Sequence, residues 1–313
     1  GHTAFSYDTL WTVLKETDEC PTNSSQVQLV YMQTGRDENN NGGNSGQWNR
    51  EHVWPQSHGF PDALSTTVPP SVDAHHLKPA DVDVNSLRGE KDFDDGGTHV
   101  AGTPASCLTT ASTFAPPDAS KGDVARMMFY MDVRYSGDVD GEPDLQLVEA
   151  VDTGGTQLGR LSTLIRWHFL DPPDDFERQR NDLIYANWQG NRNPFIDHPE
   201  WVLRIWEYNV TIATVAGAHG GITPANPQVP YHSDQAFEIQ PAAYYHIADI
   251  RTNGASLGAA YGTSAYAFVW SQVATNGTLE ADFAENLTVH GTPEWWLAGY
   301  DYSNDFAAAA VDD

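Results

Sequence analysis

Lysine is scarce in this chain. Only Lys15, Lys78, Lys91 and Lys121 occur in 313 residues, and Lys and Arg together number 16 against 43 Asp and Glu, for a formal net charge of -27. Such a balance excludes a broadly basic surface, because its long-range field repels polyanions. Fifteen of the 16 basic residues lie at or before Arg204, so any cationic groove belongs to the first two thirds. The acid-rich composition fits work in high salt, where screening contracts to a few ångström. A salt-adapted extracellular protein is the reading, with an ordinary acidic secreted protein as the alternative.

Cysteine is nearly absent: Cys20 and Cys107 are the only two. That rules out a disulfide-dense scaffold and leaves either one bridge, which is the expectation in an oxidising compartment, or two buried thiols. No run of about 18 apolar residues occurs, which excludes a membrane-spanning helix. Nor does a signal peptide stand at the start, so a secreted or periplasmic protein is expected to have lost its export signal already. Strong net charge also favours a soluble monomer.

What is present divides by texture. Phe5, Leu10, Trp11, Val13 and Leu14 recur at helical spacing, and 27–31 (VQLVY) reads as a mostly buried strand. The polar, Asn- and Gly-rich run 37–46 marks a loop leading to a strand at Trp48–Trp54, stopped by Pro55. Helices are expected over 123–135 and 158–170, then from Asp171 as N-cap with Pro172 behind it, and again from Pro199. After Trp206 short strands take over at 209–215, 237–239, 245–250 and 265–270, with turn signals at Asn253-Gly254 and Asn276-Gly277. The division is a catalytic domain over 1–207, a small β-rich accessory module over 208–285, and a tail or junction over 286–313. Trp295 and Trp296 in that tail read as packing residues rather than a binding pair.

The chemistry concentrates around Trp48-Asn49-Arg50-Glu51-His52-Val53-Trp54-Pro55. Phosphodiester hydrolysis needs an activated water, neutralisation of phosphoryl charge and a proton for the leaving oxygen. Histidine suits the base role because its ordinary pKa lies near neutrality. A hard cation such as Mg²⁺ takes one or two protein oxygens and keeps several waters. Glu51 and Asn85 offer such a sparse pair, and Glu51 shares a site with His52 only if the strand bends or ends there.

Three stretches resemble the bacterial endonuclease I family: 47–55 (QWNREHVWP), 73–79 (DAHHLKP) continuing through 84–89 (VNSLRG), and 189–200 (QGNRNPFIDHPE). They stand in family order across about 5–206. The resemblance implies an α+β fold with a ββα-metal (His-Me) finger embedded in a mainly helical domain, followed here by an all-β module. It implies His52 as general base, Glu51 and Asn85 as catalytic metal ligands, and Mg²⁺ as cofactor, with Mn²⁺ or Ca²⁺ as substitutes. DNA, and RNA beside it, would be cut with little sequence preference to 5′-phosphate ends.

One departure stands out: nucleases similar to this one place an arginine near the scissile phosphate from the interval after the histidine, yet 53–77 holds no Arg or Lys. Either Arg50 or Arg88 substitutes, or the contact is absent. Arg178 and Arg180 are candidates for phosphate contact or for pairing with Asp174 or Glu177. Asn191 and Asn193, beside Arg192 and Asp197, either line the substrate groove or tie down a loop. His75 and His76 read as structural, with Asp73 orienting one of them. The competing function is an extracellular surface- or matrix-binding protein whose nuclease fold is inactive. Intact Glu51, His52 and Asn85 speak against it.

Overall fold

The computed structural model describes residues 3, 5–60, 69–259, 261–300 and 306. Helices and strands both contribute, an α+β chain, and it separates into two compact units, Gly1–Trp206 and Glu207–Asp313.

In the first unit, α1 (Leu10–Thr17) buries Leu10, Val13, Leu14 and Thr17, the i, i+3, i+4, i+7 stripe of an amphipathic helix. Leu10 and Leu14 pack on Val27, Leu29, Trp48, Val72 and Leu77. The strand expected over 27–31 is displaced: β1 is Asn23–Gln28, and Leu29, Val30 and Tyr31 leave it while remaining buried. A turn causes this, with Gln33 at φ 55 and the Leu29 N–H reaching back to the Thr34 carbonyl. Tyr31 is thereby delivered into the interior.

Two strands and a helix follow. β2 (Trp48–His52) pairs antiparallel with β3 (Leu77–Asp81), Glu51 opposite Lys78 and His52 opposite Leu77. Pro79 is tolerated because the pair forms a sheet of only two strands, and its carbonyl still accepts from Val30. Asp81 ends β3 and caps α2 (Val82–Arg88), its carboxylate accepting from the Asp83 and Val84 N–H groups and anchored by Arg36. Gly89, at φ 56, stops the helix in a conformation that glycine adopts at least cost.

Longer helices surround this segment. α3 (Asp118–Arg134) begins five residues before the expected start at Asp123, and Gly122 lies so close to the Asp171 carbonyl that a Cβ would overlap it. α4 spans Leu161–Leu170. The next helix, α5 (Asp175–Leu183), is capped by Asp174 rather than by Asp171. Asp171 instead accepts from the Gly122 N–H, while Asp174 meets the Glu177 N–H. At Pro199 a short 3-10 turn, Pro199–Trp201, precedes a four-residue helix.

The expected disulfide is absent. Cys20 and Cys107 are separate buried thiols: Cys20 Sγ contacts Thr22 and Gln28, and burial pushes the Cys107 thiol above its ordinary range.

In the second unit β4 (Asn209–Ala216), β5 (Gly220–Thr223), β6 (Gln228–Pro230), β7 (Gln235–Pro241), β8 (Tyr245–Thr252), β9 (Ala255–Ser256), β10 (Tyr266–Trp270) and β11 (Gly277–Glu285) form two sheets. Their orders are β6-β4-β11-β8-β9 and β5-β7-β10. Strand β7 alternates cleanly, burying Phe237, Ile239 and Pro241. Asn253 and Gly254, both at positive φ, make the tight β8–β9 hairpin. A short helix, α6 (Glu294–Ala298), buries Leu297 and leaves Trp295 and Trp296 partly exposed. The alanine-rich stretch after Phe306 lies outside the described residues. Among the described residues no helix is long and apolar enough to cross a membrane.

Candidate active site

Adjacent side chains on a regular strand face opposite ways. Strand β2 ends at His52, and with it that constraint: Glu51 and His52 line one cleft of about 660 Å³ together with Tyr7, Arg50, Gln56, Asn85 and Glu90. Asn85 arrives from the middle of α2, so one strand–strand–helix segment supplies all three.

The histidine is held in one tautomer. His52 Nε2 lies 2.9 Å from the Ser71 carbonyl, which only accepts, so the ring proton sits on Nε2 and the lone pair on Nδ1. The Gln56 amide stands 3.3 Å from the same Nε2, and the Tyr7 ring stacks on the imidazole at 5.8 Å. Burial, and after it repulsion from His76, pushes the His52 pKa down to about 3. The ring is therefore neutral at physiological pH, with Nδ1 free to take a proton. A substrate phosphate would oppose that depression and strengthen the base.

Glu51 is 2% exposed. Its Oε1 accepts from the Tyr31 hydroxyl at 2.7 Å and lies 3.5 Å from Arg88 Nη1, while no hydrogen bond to Oε2 is found among the described residues. Burial lifts the carboxyl to about 7 against the opposing pull of Arg88 and Tyr31. Asn85 Nδ2 donates to Asn49 Oδ1 at 2.8 Å, and no hydrogen bond to Asn85 Oδ1 is found among the described residues. No group of three or more His, Cys, Asp or Glu side chains converges among the described residues, so a zinc-type cage is not what they build. One carboxylate oxygen and one amide oxygen match a hard cation that retains most of its waters.

Among the described residues Arg50 is the one Lys or Arg lining the cleft. Its guanidinium lies 3.6 Å from the centre of the Tyr7 ring and 4.1 Å from that of Trp11, and donates to the Tyr7 carbonyl at 2.6 Å. The carboxylate nearest it is exposed Asp8, at 3.9 Å. Its charge is thus held in place without being neutralised.

The family profile described as Endonuclease I matches residues 1–200, a span containing Glu51, His52 and Asn85. The chain belongs to the endonuclease I family. It is accordingly a nuclease, a hydrolase of phosphodiester bonds. Two curated proteins, each named extracellular ribonuclease, are similar to it. That of Bacillus subtilis (strain 168) is 53% identical and that of Bacillus amyloliquefaciens 50%, each over 207 residues, 66% of this chain and 70% of the relative.

The other expected substrate contacts of this endonuclease I member separate. Arg88 is fully buried; its guanidinium donates to the His52, Val53 and Gly89 carbonyls, so it braces the site and is not exposed to a phosphate. Asn193, 1% exposed, caps the turn at Phe195 and donates to the Arg126 carbonyl, which makes it structural too. Arg178 is exposed on α5, paired with Asp175 and absent from the cleft lining. Asn191 donates to the Tyr130 hydroxyl and lines a different, smaller cavity. Arg180 is buried against Asp18, and Arg126, not Arg178 or Arg180, pairs with Glu177. His75 meets the Asn191 carbonyl and His76 the Pro70 carbonyl, while Asp73 accepts from the Tyr130 and Tyr135 hydroxyls.

Sequence reasoning missed Tyr31, Tyr7, Gln56 and the Ser71 carbonyl. None carries a local signal: Tyr31 reads as one more apolar residue of a strand, and a carbonyl has no residue type. Tyr31 lies in the 27–31 stretch, Gln56 directly follows the 47–55 motif and Tyr7 stands among the helical residues from Phe5 on, yet no residue type or spacing there points to the site.

Proposed function

We propose that this protein is a secreted, divalent-metal-dependent endonuclease that hydrolyses both DNA and RNA without sequence preference, leaving 5′-phosphate ends. The observation that carries the proposal is the convergence, in one cleft, of a neutral histidine with a bare Nδ1, a carboxylate with an unpartnered oxygen and a helix-borne amide oxygen. The strand–strand–helix order supports reading the segment as a ββα-metal finger. Secretion is drawn from the extracellular relatives, and RNA as a substrate from their ribonuclease names.

In the mechanism His52 Nδ1 removes a proton from a water in line with the departing 3′ oxygen, the P–O3′ bond breaks as the new P–O bond forms, and the 3′ oxygen takes its proton from a second water of the open cleft. Ser71 and Tyr7 hold the ring so that the lone pair keeps its direction. Glu51 Oε2 and Asn85 Oδ1 are the atoms that would hold the cation, Mg²⁺ with Mn²⁺ or Ca²⁺ as substitutes. When bound, the cation neutralises charge on the phosphoryl oxygens. Arg50 supplies a second positive group there, pre-ordered by its two aromatic neighbours. Tyr31 and Arg88 keep Glu51 Oε1 occupied, which directs its other oxygen to the task. The second unit serves as an accessory module for stability or attachment rather than for gripping the substrate, since 205–313 holds one basic residue, Arg251, against 12 acidic ones.

The test uses purified protein with supercoiled plasmid and with ribosomal RNA, in Mg²⁺ and in chelator. Degradation of both, lost on chelation and restored by Mg²⁺, is expected. Metal-independent turnover, or cyclic-phosphate ends on the RNA, would refute the proposal.

A further inference from the structure

Cavities of about 260 Å³ and, near Cys20, about 520 Å³ lie elsewhere in the first unit, but one of about 360 Å³ adjoins the candidate cleft itself. It is lined by Tyr7, Trp11, Gly42, Gly43, Asn49 and Arg50, and it shares Tyr7 and Arg50 with the cleft. Two aromatic rings and a guanidinium therefore form a continuous wall leading away from the point where the phosphate is cut. The Arg50 guanidinium lies over the Tyr7 ring at 3.6 Å and over the Trp11 ring at 4.1 Å. Trp11 is itself braced edge-on against buried Trp48, centroids 5.1 Å apart.

We propose that this adjoining cavity is a nucleobase subsite, taking the base of a nucleotide that flanks the scissile phosphate. The inference rests on the nuclease reading above. Aromatic rings are surfaces on which unpaired bases stack without regard to sequence, and since Tyr7 already carries His52 and Arg50, Trp11 is the ring that offers one here. Asn49 adds a hydrogen-bonding edge: its Oδ1 is taken by Asn85, while no partner for its Nδ2 is found among the described residues. Because Asn49 touches Asn85 on one side and the cavity on the other, a seated base is coupled directly to the proposed metal ligand. A base paired in a duplex cannot enter such a cavity without leaving its stack. The subsite therefore favours single-stranded RNA or DNA over duplex.

Gly43 offers a way to close the cavity. A Cβ there meets no atom within 4 Å, and its backbone is not in the left-handed region, so a side chain can start from this position into open space. The experiment compares unmodified protein and Gly43→Leu on a single-stranded trinucleotide, intact or with the base deleted from either nucleotide flanking the cleaved bond. Stacking of one base is worth roughly 1–3 kcal/mol, about 5- to 150-fold in kcat/KM. Deleting one of the two bases is expected to cost the unmodified protein at least fivefold. Gly43→Leu should lose a similar factor on the intact trinucleotide and then be indifferent to the deletion. Less than a twofold effect of deletion at both flanks, or losses from Gly43→Leu and deletion that multiply, would overturn the subsite. Failure of the unmodified protein to cut either the intact trinucleotide or a longer single strand in Mg²⁺ would overturn the metal-dependent nuclease reading and the subsite with it; if only the longer strand is cut, the same base deletions and the same variant are compared on that strand, with the same outcomes deciding.

Discussion

Replacing Arg88 by methionine removes the cation that ties the end of β2 to α2. Arg88 is completely buried, donates at 3.2 and 2.7 Å to the His52 and Val53 carbonyls, and stands 3.5 Å from Glu51 Oε1. Methionine fills much of the volume but leaves these acceptors and a buried carboxylate without their partner. Breaking a buried pair from one side costs about 3–5 kcal/mol. At about 2–4 °C per kcal/mol for a unit of this size, the melting temperature should fall by roughly 6–20 °C. The loss should also depend on pH. Arg88 lowers the Glu51 pKa, which is held at about 7, so its removal raises it further. Below pH 7 the protonated carboxyl needs no cation, whereas above it the bare charge does. The drop at pH 8.5 should therefore exceed that at pH 6. Thermal melts in chelator, beside Arg178→Met on the exposed face of α5, provide the assay. A shift below 2 °C, or one equal at both pH values, would refute the bracing role and the charge coupling respectively.

His168 provides a second pH signature. Burial, then repulsion from Arg126, lowers its pKa to about 4, so as pH falls through 6.5 the unfolded chain takes up a proton that the folded one refuses. Stability conferred by this position is thus full above about 6.5 and declines toward 4. The advantage of the native protein over His168→Phe should shrink by about 2 kcal/mol between pH 7 and pH 5, and a constant difference in urea melts would contradict the assignment. The net charge of -27 leads to the expectation that turnover persists in molar NaCl. A steep fall between 0.1 and 2 M NaCl, as counterion release weakens phosphate contacts, would remove the case for salt adaptation.

Local chemistry made some of this legible before any coordinates. The α1 stripe and the strand carrying Glu51 and His52 follow from periodicity and from Pro55, and Asn85 stands on a helix as the motif implies. Contacts between distant segments were not legible. Tyr31 reaches Glu51 across 20 residues and Ser71 reaches His52 across 19, and no period or cap announces either. Arg88 misled for a physical reason: arginine beside a glycine that ends a helix reads as a solvent-facing cation, while here three backbone carbonyls draw it inward. Asp171 and Asp174 show the limit at helix starts, since two aspartates three apart both suit the cap and only the tertiary contact with Gly122 separates them. The cysteines illustrate that a pair in sequence is no pair in space.

The central claim is that His52 takes the proton. Single-turnover cleavage of a single-stranded oligonucleotide in saturating Mg²⁺, by the native protein and by His52→Ala of matched circular dichroism and melting behaviour, tests it most directly. A loss of at least about a hundredfold in the chemical step, with oligonucleotide affinity within a few-fold of native, is the predicted result. A His52→Ala protein that cleaves within tenfold of the native rate would contradict it and assign the base to another group in the cleft.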